Sequence, residues 1–139
     1  MADDIRLLIS RAGRTLTRHF GDRAAELDLS VVQGQALIVL AASPGSGLGA
    51  LARLLSKDQA STSIMVDKLM SLGLVQRETD KEDRRRALLY LTSQGKECAE
   101  HLLTARDDIN RLVLDALGPK RSKELEALLA DLLTAIEGA

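Results

Sequence analysis

The stretch LARLLSKDQASTSIMVDKLMSLGLV, residues 51–75, decides the fold. It reads as two short helices with a tight joint. The first, Gly47–Leu55, carries Leu48, Leu51, Ala52, Leu54 and Leu55. The second, residues 59–72, is capped by Asp58 and turns Thr62, Met65, Val66, Leu69 and Leu72 to one side. Only Ser56 and Lys57 lie between them, which is the spacing of a helix-turn-helix unit. Gly73 suits the left-handed residue that ends a helix. The apolar period then falls from about 3.6 to 2. Leu74, Val75 and Arg77 make one short strand and Ala87–Leu91 a second. The wholly polar run Glu78–Arg86 between them is the exposed tip of a hairpin. A hairpin that follows a helix-turn-helix is a wing.

Outward from this unit the chain is helical. Residues 4–27 place Ile5, Leu8, Ile9, Ala12, Leu16 and Phe20 three and four apart, with arginines on the other face. Ser30 caps a helix over 31–43 that is apolar on almost every side and belongs in the middle of the structure. Ser43-Pro44-Gly45-Ser46-Gly47 is a turn cluster that stops it. Thr92 caps a long helix over 93–116, Gly118-Pro119 breaks it, and a last helix follows over 120–137. The fold class is mainly α with a small β-hairpin. We read residues 1–139 as a single domain, with a winged helix-turn-helix lobe at 30–92 and dimerisation helices at 1–29 and 93–139. Three flanking helices each carry an apolar stripe, and the small winged lobe cannot cover all of them. A second copy of the chain is the expected cover, giving a twofold homodimer.

Composition narrows the function classes. Phe20 and Tyr90 are the only aromatics, so the core is aliphatic and rich in good helix formers. Net charge is −1, but charge is unevenly spread: residues 47–92 hold eight basic and six acidic side chains, residues 93–139 six basic and nine acidic. One cysteine, Cys98, rules out an internal disulfide and a cysteine-rich zinc site, and fits a reducing compartment. No apolar run approaches the ~18 residues of a membrane span, and the acidic N-terminus has no signal-peptide pattern, so a cytoplasmic location is expected. There is no nucleophile–base set, phosphate loop or cofactor motif, and the two histidines are far apart in sequence. An enzyme is therefore not expected, and no cofactor is implied.

Four runs, in order and at their spacings, resemble the MarR (multiple antibiotic resistance regulator) family of transcriptional regulators. They are Leu29-Ser30-Val31-Val32-Gln33; Leu51-Ala52-Arg53-Leu54-Leu55; Val66-Asp67-Lys68-Leu69 with Leu72-Gly73-Leu74-Val75; and Asp80-Lys81-Glu82-Asp83-Arg84-Arg85 with Leu91-Thr92 and Gly95. The resemblance covers nearly the whole chain. It implies a homodimer with interlocked terminal helices, recognition helices in major grooves of double-stranded DNA, and wings in minor grooves. It also implies a repressor released from a pseudo-palindromic operator by a small aromatic or anionic effector.

With four core positions assigned, Gln59, Ser61, Ser63, Ile64 and Lys68 face outward on the recognition helix. Their amide, hydroxyl and ammonium groups suit base edges and phosphates, and an exposed Ile can meet a thymine methyl. At the wing, Arg84, Arg85 and Arg86 suit a narrow, electronegative minor groove. By family position Arg85 is the inserted residue, oriented by Asp83 through a carboxylate–guanidinium pair. Family position also puts Gly34, where an aromatic is common, at the border of an effector pocket, which its missing ring would enlarge or rearrange. Arg14, Arg18 and His19 are either that pocket's positive charge or exposed, dimer-facing side chains. Cys98 reads as a small buried hydrophobe, and with His101 three residues on it makes a poor metal site. Two other functions fit parts of the pattern: a winged helix used for protein–protein interaction, and a redox-sensing regulator working through Cys98.

Overall fold

A computed structural model describes residues 4–138; the first three residues of the acidic N-terminus lie outside the described residues. The elements are α1 (Ile5–Ala25), α2 (Val31–Ala42), α3 (Leu48–Leu54), α4 (Gln59–Ser71), β1 (Val75–Thr79), β2 (Ala87–Leu91) and α5 (Ser93–Glu137). The mainly helical class with one two-stranded antiparallel hairpin is as the sequence indicates. The chain forms two compact units, one ending at Ala105 and the other beginning at Arg106.

Helix starts follow from cap chemistry. Ser30 and Gln33 form a reciprocal capping box: the Ser30 hydroxyl accepts from the Gln33 N–H, and the Gln33 side chain accepts from the Ser30 N–H at 2.9 Å. The Leu29–Gln33 run is thus the start signal of α2. Asp58 caps α4 by accepting from the Ser61 N–H at 2.7 Å. Thr92 caps α5 by accepting from the Gly95 N–H at 3.0 Å, and its hydroxyl donates to the Gly73 carbonyl at 2.6 Å. That pair of bonds ties the start of α5 to the end of α4, where Gly73 sits at φ 76.

The first unit's core runs from Phe20 and Ala24 of α1 through Ala36, Leu37 and Leu40 of α2 to Leu51, Val66, Leu69, Leu89, Ala99 and Leu102. Helix α2 meets α1, α3 and β2, which explains its all-round apolar character. In the sheet, Val75 pairs with Leu91 and Thr79 with Ala87. Buried Thr62 is satisfied by donating to the Asp58 carbonyl at 2.7 Å. In the second unit Gly118 adopts φ 80, ψ 166, a break that Pro119 follows as the first residue of a new helical run.

The Ser43–Gly47 turn stops α2 at Ala42 as expected and also carries an isolated bridge from Ser46 to Leu89, with the Gly45 N–H donating to the Leu89 carbonyl and the Leu89 N–H to the Ser46 carbonyl, both at 2.9 Å. Two expectations need correction. Leu72 is exposed, because α4 ends at Ser71 and the chain turns away before Leu72 can reach the core. Cys98 is half-buried, on a flank of α5 whose buried residues are Gly95, Ala99, Leu102 and Ala105.

Candidate nucleic-acid interface

Helix α3 presents Leu51 and Ala52 to the core and leaves Arg53, in its last turn, in solvent. The joint to α4 turns at Ser56, which holds φ 54, a left-handed value uncommon for a residue with a side chain. Helix α4 then buries Thr62, Val66 and Leu69 and exposes Gln59, Ser61, Ile64 and Lys68, with Ser63 half-buried. The Ser61 hydroxyl donates to the second Asp58 oxygen at 2.9 Å, so its proton is engaged and its free chemistry is that of an acceptor. These two bonds from Ser61 hold the Asp58 carboxyl below its usual range.

The wing tip is a sequence of small closures made by its two aspartates. Asp80 accepts from the Glu82 N–H at 2.9 Å. Asp83 accepts from the Arg85 N–H at 3.1 Å and from the Arg85 Nε at 3.2 Å. The Asp80 N–H donates to the Arg86 carbonyl and the Arg86 N–H to the Asp83 carbonyl, both at 3.0 Å. The Asp–Arg spacing of the wing is therefore a folding signal for the loop. It leaves the Arg85 side chain 92% exposed, projecting from a fixed backbone.

Between α3, α4 and the wing lies an open groove of about 620 Å³. Arg53, Arg77, Arg85 and Arg86 line it together with Gln59 and Ser63, and its lining contains no carboxylate. Gly47 and Gly49 form its floor near the Gln59 amide and the Arg86 guanidinium. Of the residues expected from sequence, the groove gathers Gln59, Ser63, Arg85 and Arg86. Ser61, Ile64, Lys68, Asp83 and Arg84 lie outside its lining. Arg53 and Arg77 were missed as site residues. For Arg53 the signal was available, a charged residue on a short helix that buries Leu51 and Ala52; Arg77 follows the buried Val75 on the same face of an otherwise exposed strand, and its place in the groove depends on the hairpin folding beside α4. Arg77 reaches Asp67 of α4 at 3.7 Å, linking hairpin and helix.

The residues named from family position for an effector pocket differ in burial. Gly34 is buried, and a Cβ there would stand 3.3 Å from the Phe20 ring and 3.4 Å from Leu102. The ring missing from α2 is supplied by Phe20 of α1, so the space beside Gly34 is filled. Arg14, Arg18 and His19 are exposed on α1. A separate cavity of about 400 Å³ lies between the end of α2, the hairpin and α5, with Leu40, Tyr90, Leu91 and Leu103 in its lining. Glu78, Glu100 and Lys96 are its charged residues. Burial pushes the Cys98 thiol up, with the Glu97 carboxylate beside it adding to the shift, so the reactive thiolate is disfavoured. Among the described residues no group of three or more metal-ligating side chains comes together, and no helix is long and apolar enough to cross a membrane.

A helix-turn-helix braced by a third bridged segment and followed by a basic hairpin defines a winged helix-turn-helix protein. The sequence pattern of the MarR family matches residues 27–86, and the chain belongs to that family of transcriptional regulators, which are not enzymes. A probable transcriptional regulator from Pseudomonas aeruginosa is 31% identical, with 94% of this chain and 97% of that one covered and a TM-score of 0.81. The transcriptional repressor NicR of Pseudomonas putida is 25% identical over 132 residues, covering 95% of this chain and 84% of that protein. A mutant MarR from E. coli complexed with operator DNA is 25% identical, with 93% of each chain covered and a TM-score of 0.83.

Proposed function

We infer that this regulator is a repressor that binds a pseudo-palindromic operator in double-stranded DNA as a homodimer and is released by a small-molecule effector. The observation that carries the DNA reading is the groove whose lining gathers four arginines from α3, β1 and the wing and no carboxylate, Arg77 and Arg85 each pairing with an aspartate outside the lining. Guanidinium groups so placed suit phosphates on either side of a major groove that receives α4. Gln59, Ser63 and Lys68 then serve as base or phosphate contacts, Ser61 as an acceptor, and Arg84 and Arg85 as minor-groove or backbone contacts, Arg85 being held by Asp83. The lobe at 30–92 reads DNA, and the helices at 1–29 and 93–139 dimerise. Support for the dimer is the exposure of Ile5, Leu8 and Ile9 on α1 and of Leu125, Leu128, Leu132 and Ile136 beyond Gly118. For the effector, the α2–hairpin–α5 cavity has the size and mixed lining of a small-ligand site. Two carboxylates against one lysine favour an uncharged or cationic aromatic over an anion.

The test is fluorescence anisotropy of the purified protein on the DNA upstream of its own gene, across a salt series. Tight, sequence-preferring binding is expected, with log K falling linearly against log salt. Arg53→Ala and Arg85→Ala should each weaken binding and make the slope shallower by about 1, one phosphate contact each. Binding no tighter than to random DNA at every salt concentration would reject this function.

A further inference from the structure

Ile64 stands 72% exposed in the middle of the recognition helix, the most exposed of the large apolar side chains between α2 and the first turns of α5 among the described residues. It is not part of the core stripe, which Thr62, Val66 and Leu69 complete without it. One turn earlier on the same face lies Ala60, also exposed, and one turn later Lys68. The outward face of α4 therefore opens with two adjoining apolar side chains and closes with a cation. In a major groove the one apolar feature of a base edge is the C5-methyl of thymine. We propose that Ile64 is a specificity-determining residue that selects thymine at one position of each half-site, by packing its side chain on the C5-methyl group. This rests on the DNA-binding reading above and adds to it the base that the helix prefers.

Hydrogen bonds from the same helix can read base edges but do not sense the thymine methyl. Ser61 has its hydroxyl proton tied to Asp58. Ser63 and Gln59 line the arginine groove on the side of the wing. At the centre of α4 an apolar contact from the branched Ile64 side chain is what the surface offers, and its recognition is lost when the thymine methyl is removed, with every Watson–Crick bond kept.

The experiment selects duplexes from a randomised double-stranded library with the intact protein, then replaces each thymine of the selected duplex in turn by deoxyuridine. At one thymine per half-site the wild-type protein should lose affinity about fourfold, the loss for one buried methyl. Placing 5-methylcytosine there, paired with guanine, should restore part of the methyl contact relative to cytosine. Ile64→Ala should bind the thymine and deoxyuridine duplexes equally, while Lys68→Ala keeps the discrimination at lower affinity. If wild type binds the selected duplex but no deoxyuridine substitution matters, the thymine reading is overturned and DNA binding stands. If the library yields no enriched sequence, both fall together.

Discussion

Replacing Gly95 by alanine puts the joint between α4, the hairpin and α5 under direct test. Alanine is ordinarily the better helix residue by about 1 kcal/mol. At Gly95, however, a Cβ would stand 2.0 Å from the Leu74 carbonyl oxygen and 3.0 Å from its carbon. That oxygen accepts from the Thr92 N–H at 3.0 Å, so it cannot retreat without stretching a bond at the cap of α5. The helix cannot retreat either, since Thr92 holds Gly73 at 2.6 Å. Forced overpacking costs about 3 kcal/mol at such a site, and a lost backbone bond about 1 kcal/mol more. After the helix gain, the net destabilisation is about 3 kcal/mol. For a chain of this size that lowers Tm by roughly 10 °C. Gly13, on α1, is the internal control, because a Cβ there has nothing within 4 Å. Gly13→Ala should raise stability by about 0.5–1 kcal/mol. The assay is urea unfolding followed by circular dichroism at fixed protein concentration, since the proposed dimerisation would make stability concentration-dependent. The midpoints should move in opposite directions with unchanged m. If Gly95→Ala matches or exceeds the wild-type midpoint, the close approach of α5 to Leu74 is not a constraint and the reasoning fails.

Ser56→Gly should stabilise the protein by about 0.5–1 kcal/mol, because the left-handed φ at the helix-turn-helix joint strains any residue with a Cβ; an unchanged or lowered unfolding midpoint would mean that the serine is at ease there. The Asp58 carboxyl is held below its usual range by the Ser61 bonds, so its contribution is present above the unfolded-state value and is lost as pH falls through the folded one. Asp58→Asn keeps the cap without the charge, so the wild-type advantage over this variant in thermal melts should shrink between about pH 5 and pH 3.

Local chemistry made most of the fold legible. Caps at Ser30, Asp58 and Thr92 and breaks at Gly73 and Gly118 are decisions taken within four residues, and the structure places helix ends beside the first four and a non-helical residue inside α5 at Gly118. Pairings that depend on distant partners were not legible. The single bridge from Ser46 to Leu89 is too short to impose a period of two on its neighbours, so the segment showed only its turn residues. Gly34 announced an absent side chain but not what would occupy the space, because Phe20 reaches it from another helix. The motif ending in Gly95 was visible as a pattern, while its cause is a carbonyl some twenty positions earlier in the chain.

Charge shows the same division between what is local and what is assembled. A net charge of −1 gives no sign of an anion-binding surface. Screening limits each charge to about 8–10 Å at moderate salt, so a bound phosphate feels the groups lining its groove far more than the chain's total. Those groups come from the last turn of α3, the middle of β1 and the wing tip, which lie apart in sequence and meet only when the hairpin folds beside α4. The acidic residues of the same stretch do other work. Asp58 caps a helix, Asp80 and Asp83 close the wing, and Asp67 holds Arg77. Each sets the position of an element or an arginine while remaining outside the groove's lining. Four of the six acidic side chains that nearly cancel the basic ones in a sequence count therefore organise the basic surface more than they neutralise it.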